Sequence, residues 1–119
     1  MLIAIPVVSG NYPTEISQHL GRSPFFLVYD TTNHQSKFIQ SVARHEMGGV
    51  GFKASQVVLD LSVNILITPG AGGKALEIFE EAGMKVYQAL GNNVEENLFL
   101  FEKNGLSILS EGCAGHQHH

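Results

Sequence analysis

Residues 64–88, NILITPGAGGKALEIFEEAGMKVYQ, constrain the fold more than any other stretch of this chain. Ile65, Leu66 and Ile67 form an unbroken aliphatic run, the pattern of a strand buried on both faces. Pro69-Gly70-Ala71-Gly72-Gly73 breaks it. Ala75, Leu76, Phe79 and Ala82 then recur at helical spacing, while Lys74, Glu77, Glu80 and Glu81 take the other face. Gly83 stops that helix at the position where a left-handed residue is favoured, and Met84, Val86 and Tyr87 begin another strand. Strand, glycine turn, helix and strand make a βαβ unit, with parallel strands and a right-handed crossover. The backbone amides that open its helix face a loop with almost no side chains. This loop is therefore the first candidate binding site.

The chain before this unit reads as three strands joined by short links. Leu2 to Val8 is a central strand, with Pro6 awkward near its end. Ser9 to Pro13 is a turn cluster, and Thr14 to Leu20 reads as a loop or a single short turn. Phe25 to Asp30 is a strong second strand, and Ser36 to Val42 a more exposed third, antiparallel to it across a hairpin-length connection. Residues 43–51 carry three glycines and no periodicity, and Phe52 to Leu61 forms a first helix with Ala54, Val57, Val58 and Leu61 inward. After the βαβ unit, Asn93 and Glu96 resemble a capping box for a third helix. Val94, Leu98 and Phe101 give that helix a buried face, and Gly105 ends it. Leu106 to Leu109 adds a short edge strand. The order is β-β-β-α-β-α-β-α. It predicts an α/β domain over residues 1–109, a mixed sheet with its first strand central, and helices on both faces. Residues 110–119, SEGCAGHQHH, are too polar for the core and read as a tail.

Composition narrows the function. At 119 residues the chain can bury a core without a structural metal, and a net charge of −4 with seven scattered Lys and Arg gives no reason to expect nucleic acid. One cysteine, Cys113, cannot form an internal disulfide, which fits a reducing cytoplasm. The apolar start MLIAIPVV is too short to span a membrane and lacks the basic residues of a signal peptide. A cytoplasmic protein without a membrane partner is expected.

Several residues carry chemistry. His19 offers an imidazole in the loop after the first strand, and could equally be a turn-packing histidine. His45-Glu46-Met47 places an imidazole and a thioether two residues apart, which suits a soft transition metal. Gly70, Gly72 and Gly73 could present helix amides to an anion, although the spacing is neither that of a phosphate-binding P-loop nor a dinucleotide fingerprint. Arg22 could hold an anionic ligand, or pair with a carboxylate such as Asp30, the more frequent outcome. Cys113, His116, His118 and His119 place one thiol and three imidazoles in the tail, donors for zinc, nickel or copper.

Five pieces, in order, resemble the dinitrogenase iron–molybdenum cofactor-binding family of NifX-type proteins and NifB C-terminal domains. They are LIAIPV, Ser17-Gln18-His19-Leu20-Gly21-Arg22-Ser23-Pro24-Phe25-Phe26, Gly49-Val50-Gly51, Pro69 to Leu76 with Ala82 to Tyr87, and Gly91-Asn92-Asn93-Val94-Glu95-Glu96. The resemblance covers roughly residues 1–105. It implies a ribonuclease-H-like fold with a five-stranded mixed sheet of order 3-2-1-4-5. It also implies binding of a metal–sulfur cluster, of iron–sulfur or iron–molybdenum type, by a carrier or accessory protein that works with a cluster donor or acceptor. On that reading His19, Arg22, His45, Met47, Gly70, Gly72 and Gly73 converge on the cofactor, with His19 and His45 as metal ligands. Two alternatives stand beside it. One is a partner-binding regulatory domain without metal. The other is a phosphoryl-transfer enzyme or nuclease, which would need clustered carboxylates for two metal ions. Leu2 to Val8 has no acidic residue, and Asp30 and Asp60 stand alone in the sequence, so no enzyme is expected.

Overall fold

The structure, a computed structural model, describes residues 1–41 and 50–109, the side chains of 50–54 excepted. Its strands are β1 (Leu2–Val7), β2 (Phe25–Asp30), β3 (Gln35–Gln40), β4 (Ile65–Thr68) and β5 (Lys85–Gln88). Its helices are α1 (Val50–Asp60), α2 (Gly73–Glu81) and α3 (Val94–Glu102), and a 3-10 turn covers Leu20–Arg22. One sheet holds all five strands in the order β3-β2-β1-β4-β5. β2 is antiparallel to β1 and to β3, while β4 is parallel to β1 and β5 parallel to β4. The expected mixed sheet with a central first strand is what forms.

The period-two alternation of strands divides the apolar side chains between two cores. Ala4, Phe26, Val28, Leu66 and Val86 pack with Val58 of α1 and Ala75, Leu76 and Phe79 of α2. Ile3, Ile5, Val7, Leu27, Ile65 and Ile67 face the other way, against Val94, Leu98 and Phe101 of α3. Helices thus cover both faces, which is why β1 and β4 read as continuous apolar runs. Their inner residues bear this out: Ile3, Ala4, Ile5, Leu66 and Ile67 are all fully buried.

Pro6 sits inside the central strand, paired with Phe26. Its carbonyl accepts from Ser17 N at 2.8 Å, on the side turned from β2, and the β1–β4 ladder has already ended at Ala4–Leu66. The missing N–H therefore costs no ladder bond. In place of β4, the segment Glu15–Ser17 pairs there, with Val8 N donating to Glu15 O and Ile16 N to Asn92 O. The polar pattern of 14–20 reads as loop, yet Ile16 is 2% exposed and tied to the β5–α3 turn.

Both helix ends after β4 close with the same backbone motif. Gly83 takes φ +81°, and Met84 N donates to Phe79 O while Gly83 N donates to Glu80 O. At the end of α3 the left-handed residue is Asn104 (φ 62°), one position before the Gly105 that marks the helix end in the sequence. Gly105 donates to Leu100 O at 2.7 Å, and a Cβ on it would lie 3.2 Å from the Leu100 side chain, a tight contact that glycine avoids. Other boundaries shift slightly: β3 begins and ends earlier than expected, and α1 begins at Val50. The expected strand at 106–109 reduces to one bridge, Tyr87 with Ile108.

Candidate functional site

Parallel neighbours such as β1 and β4 deliver the segments that follow them to the same end of the sheet. A cleft of about 430 Å³ opens there, lined by Gln18, His19, Leu20, Gly21 and Arg22 on one side and Gly70, Ala71, Gly72 and Ala75 on the other.

The first wall is held from beneath. Leu20 is buried in the core shared with α1 and α2, and Arg22 N donates to His19 O to close the 3-10 turn. Ser17 Oγ accepts from His19 N at 3.3 Å. Ser23, 1% exposed, donates its hydroxyl toward Val7 O and Phe25 O. These small buried hydroxyls fix the backbone while the His19 and Arg22 side chains remain exposed.

The second wall follows β4. Thr68 is fully buried and its hydroxyl donates to Gly70 O at 3.1 Å, which shapes the turn into α2. α2 starts without a side-chain cap, because its N-cap is Gly72 in extended conformation, and its first turn has no acidic residue. The first amide to find a backbone acceptor is Leu76 N, on Gly72 O. Those of Gly73, Lys74 and Ala75 have no acceptor among the described residues, as at any uncapped helix start. A Cβ built on Gly70 or Gly72 would meet nothing within 4 Å. Neither glycine is there to relieve crowding, and both leave backbone open to the cleft.

Among the described lining residues Arg22 is the one charged side chain, and no carboxylate faces the cleft. The sequence-based pairing of Arg22 with Asp30 does not form. β2 separates them by its whole length, about 20 Å for six extended residues. Asp30 lies 4.0 Å from the N-terminal ammonium and accepts from Thr32 N instead. Arg22 makes no ion pair among the described residues.

The structure therefore brings His19, Arg22, Gly70 and Gly72 together, from two segments nearly fifty positions apart. Gly73 opens α2 beside the cleft without lining it. His45, Met47, Cys113, His116, His118 and His119 lie outside the described residues. Gln18, Gly21 and Ala71 join the lining, and Thr68 supports it, although no sequence signal singled them out. Among the described residues no three or more His, Cys, Asp or Glu are grouped as a metal cage.

Elsewhere, Asp30 and Asp60, which stand alone in the sequence, line a shared cleft of about 400 Å³ with Lys37 between α1 and the β2–β3 hairpin. A cleft of about 730 Å³ faces the amino ends of β4 and β5 and holds none of the candidate residues. No helix among the described residues is long and apolar enough to cross a membrane.

Comparison with known proteins places this chain in a family. Residues 1–104 match the sequence family described as dinitrogenase iron-molybdenum cofactor. An uncharacterized protein of Methanocaldococcus jannaschii is 31% identical over 104 residues, 85% of each chain. The apo form of the orange protein from Desulfovibrio gigas has the same fold, with a TM-score of 0.83 at 23% identity over 90% of this chain and 91% of that one. A Thermotoga protein described as a candidate NifB superposes with a TM-score of 0.74 at 28% identity, over 90% and 91% of the two chains. This chain belongs to the dinitrogenase iron-molybdenum cofactor family.

Proposed function

We propose that the chain binds an anionic metal–sulfur cluster, of iron–sulfur or iron–molybdenum type, in the cleft between the 3-10 turn and α2, and carries it rather than transforming it. The observation that carries this reading is the convergence of His19 and Arg22 with the uncapped start of α2 in a cleft whose described lining holds no carboxylate. The family description, dinitrogenase iron-molybdenum cofactor, names the same class of cargo.

Each part has a role. His19 ligates a metal of the cluster through its neutral imidazole. Arg22 and the free amides of Gly73 to Ala75 offset the cluster's negative charge, while Gly70 and Gly72 let cluster atoms approach the backbone. A cluster brings its own sulfide ligands, so one or two protein donors suffice. His45 and Met47 are proposed as the further donors. α1 ends where the chain turns into the amino end of β4, so its start at Val50, three residues after Met47, lies at the cleft's end of the sheet. Because His19 and Arg22 are exposed, the cargo can be loaded and handed on without unfolding, to a cluster donor or acceptor protein. The reading extends to the fold name, for which the strand order β3-β2-β1-β4-β5 supports a ribonuclease-H-like motif, and to a cytoplasmic setting.

The test is anaerobic reconstitution of apo-protein with an iron–sulfur or molybdenum–sulfur cluster, followed by desalting and metal and sulfide analysis. The wild-type chain is expected to retain cluster, and His19→Ala, Arg22→Ala and His45→Ala to lose most of it. Unchanged retention in a His19→Ala/Arg22→Ala double variant removes the cleft as the site.

A further inference from the structure

Thr68 ends β4, a strand whose other three residues, Ile65, Leu66 and Ile67, are aliphatic. It is fully buried. Valine has nearly the same shape, suits a strand as well and leaves no polar group to satisfy, so packing alone gives no reason for a hydroxyl there. The hydroxyl donates its one proton to Gly70 O at 3.1 Å. The reason for the hydroxyl therefore lies in the peptide that it holds.

The Gly70–Ala71 peptide is trans, so its N–H points opposite to its C=O. Thr68 draws the Gly70 carbonyl toward the buried end of β4, and the Ala71 N–H is turned the other way. Gly70, Ala71 and Gly72 line the cleft, whereas Thr68 does not. The amides of Ala71 and Gly72 meet no acceptor among the described residues. Gly70 does not fix this orientation by itself, because it has no side chain and a Cβ there would touch nothing within 4 Å. Which pole of the peptide reaches the cleft thus depends on the hydroxyl beneath it.

We infer that Thr68 is a positioning residue that sets the polarity of this wall, holding the Gly70–Ala71 peptide with its amide toward the cleft, so that Ala71 N–H is a donor to the cargo. The inference rests on the reading of the cleft as an anion carrier, and it adds a donor ahead of the α2 amides. It also narrows the ligand class. Amide protons and the Arg22 guanidinium suit an anion whose outer atoms are hydrogen-bond acceptors, such as the sulfides of a molybdenum–sulfur species. A Gly70 carbonyl turned into the cleft would repel the same anion.

Tetrathiomolybdate is a suitable probe, a diamagnetic molybdenum–sulfur dianion that brings its own ligands. Full-length wild type, Thr68→Val, Thr68→Ser and His19→Ala/Arg22→Ala chains are titrated with it anaerobically, by calorimetry and by amide proton–nitrogen NMR. The wild-type chain is expected to bind, with the Ala71 amide proton moving downfield. Thr68→Val should bind about tenfold more weakly without that movement, and Thr68→Ser, which restores the hydroxyl, should recover both. Wild-type affinity in Thr68→Val overturns the inference, as does an unmoved Ala71 amide in the loaded wild-type chain. Weak binding by both Thr68 variants overturns it too, because the hydroxyl is then not what matters. If His19→Ala/Arg22→Ala binds as wild type does, or wild type does not bind, the carrier reading fails and this inference with it. Binding that needs His19 and Arg22 but not the hydroxyl leaves that reading standing and removes Thr68 alone.

Discussion

The side-chain amide of Asn97 makes three hydrogen bonds to backbone in a fully buried position of α3. Its Oδ1 accepts from Leu90 N, and its Nδ2 donates to Leu90 O and Asn93 O, each at 2.8 Å. The β5–α3 turn is thereby clamped onto the helix it precedes, and Ile16 N in turn donates to Asn92 O within that turn. Asn97→Ala leaves one amide and two carbonyls without this partner. At about 1–3 kcal/mol for each buried group left unsatisfied, with water reaching some of them, a loss of about 2–4 kcal/mol is expected in urea unfolding. A loss below 1 kcal/mol would mean that the turn holds itself. Gly10 is the second such position: an added Cβ would lie 2.8 Å from the Phe25 ring, so Gly10→Ala should lower the melting temperature with the cleft intact. Neither role is legible in the sequence. Helical periodicity weighs apolar residues, so it marks Val94, Leu98 and Phe101 and passes over a buried amide whose partners lie outside the helix.

The starts of α2 and α3 make a controlled comparison. α3 is capped by Asn93, whose Oδ1 accepts from Glu96 N at 2.7 Å, and Glu95 and Glu96 stand in its first turn. α2 has glycine at the same position and no acid nearby. Asn93→Ala should therefore cost about 1 kcal/mol. Gly72→Asp should act in the opposite sense, since a cap and a negative charge at a helix start add about 0.3–1 kcal/mol. The same carboxylate would occupy the α2 amides and repel an anionic cluster. Higher thermal stability with lost cluster retention is the expected pair of outcomes, and retained cluster would show that those amides do not serve the cargo. At this scale much was legible. Aliphatic runs bounded by glycine and proline mark β4, α2 and β5 because burial on two faces and tight turns each demand those residues. The Asn93 cap was also legible, as a short-range signal. The pairing of Glu15–Ser17 with the end of β1 was not, because it depends on β4 stopping short, which no local pattern records.

Over the whole molecule, the cleft lies on a seam. β3, β2 and β1 form an antiparallel meander that supplies His19 and Arg22, and the β4–α2–β5–α3 half supplies Gly70 and Gly72. The two halves share only two ladder pairs, Ile3 with Ile65 and Ala4 with Leu66, so side-chain packing across the sheet holds much of the junction. This convergence was legible once β1 and β4 were read as parallel neighbours, because topology alone brings their carboxyl ends together. The absence of an Arg22–Asp30 pair follows from the same topology, which sends Asp30 to the far end of β2. A ligand that contacts both halves binds only when the seam is closed, and so adds RT ln(1 + [L]/Kd) to stability, about 2.7 kcal/mol at a hundredfold excess over Kd. Cluster loading should thus raise the unfolding temperature of the wild-type chain. Ile3→Val, at a fully buried seam position, should lower stability by about 0.5–1.5 kcal/mol with and without cluster, leaving the ligand's increment unchanged. Arg22→Ala, exposed and unpaired among the described residues, should leave the apo-protein's stability unaltered and abolish the increment. Anaerobic calorimetry of the three chains, loaded and apo, separates a cleft that grips its cargo from both walls from one that uses a single wall. An undiminished increment in Arg22→Ala would remove Arg22 from the grip, and an undiminished increment in a His19→Ala/Arg22→Ala chain would assign the grip to the α2 side among the described walls.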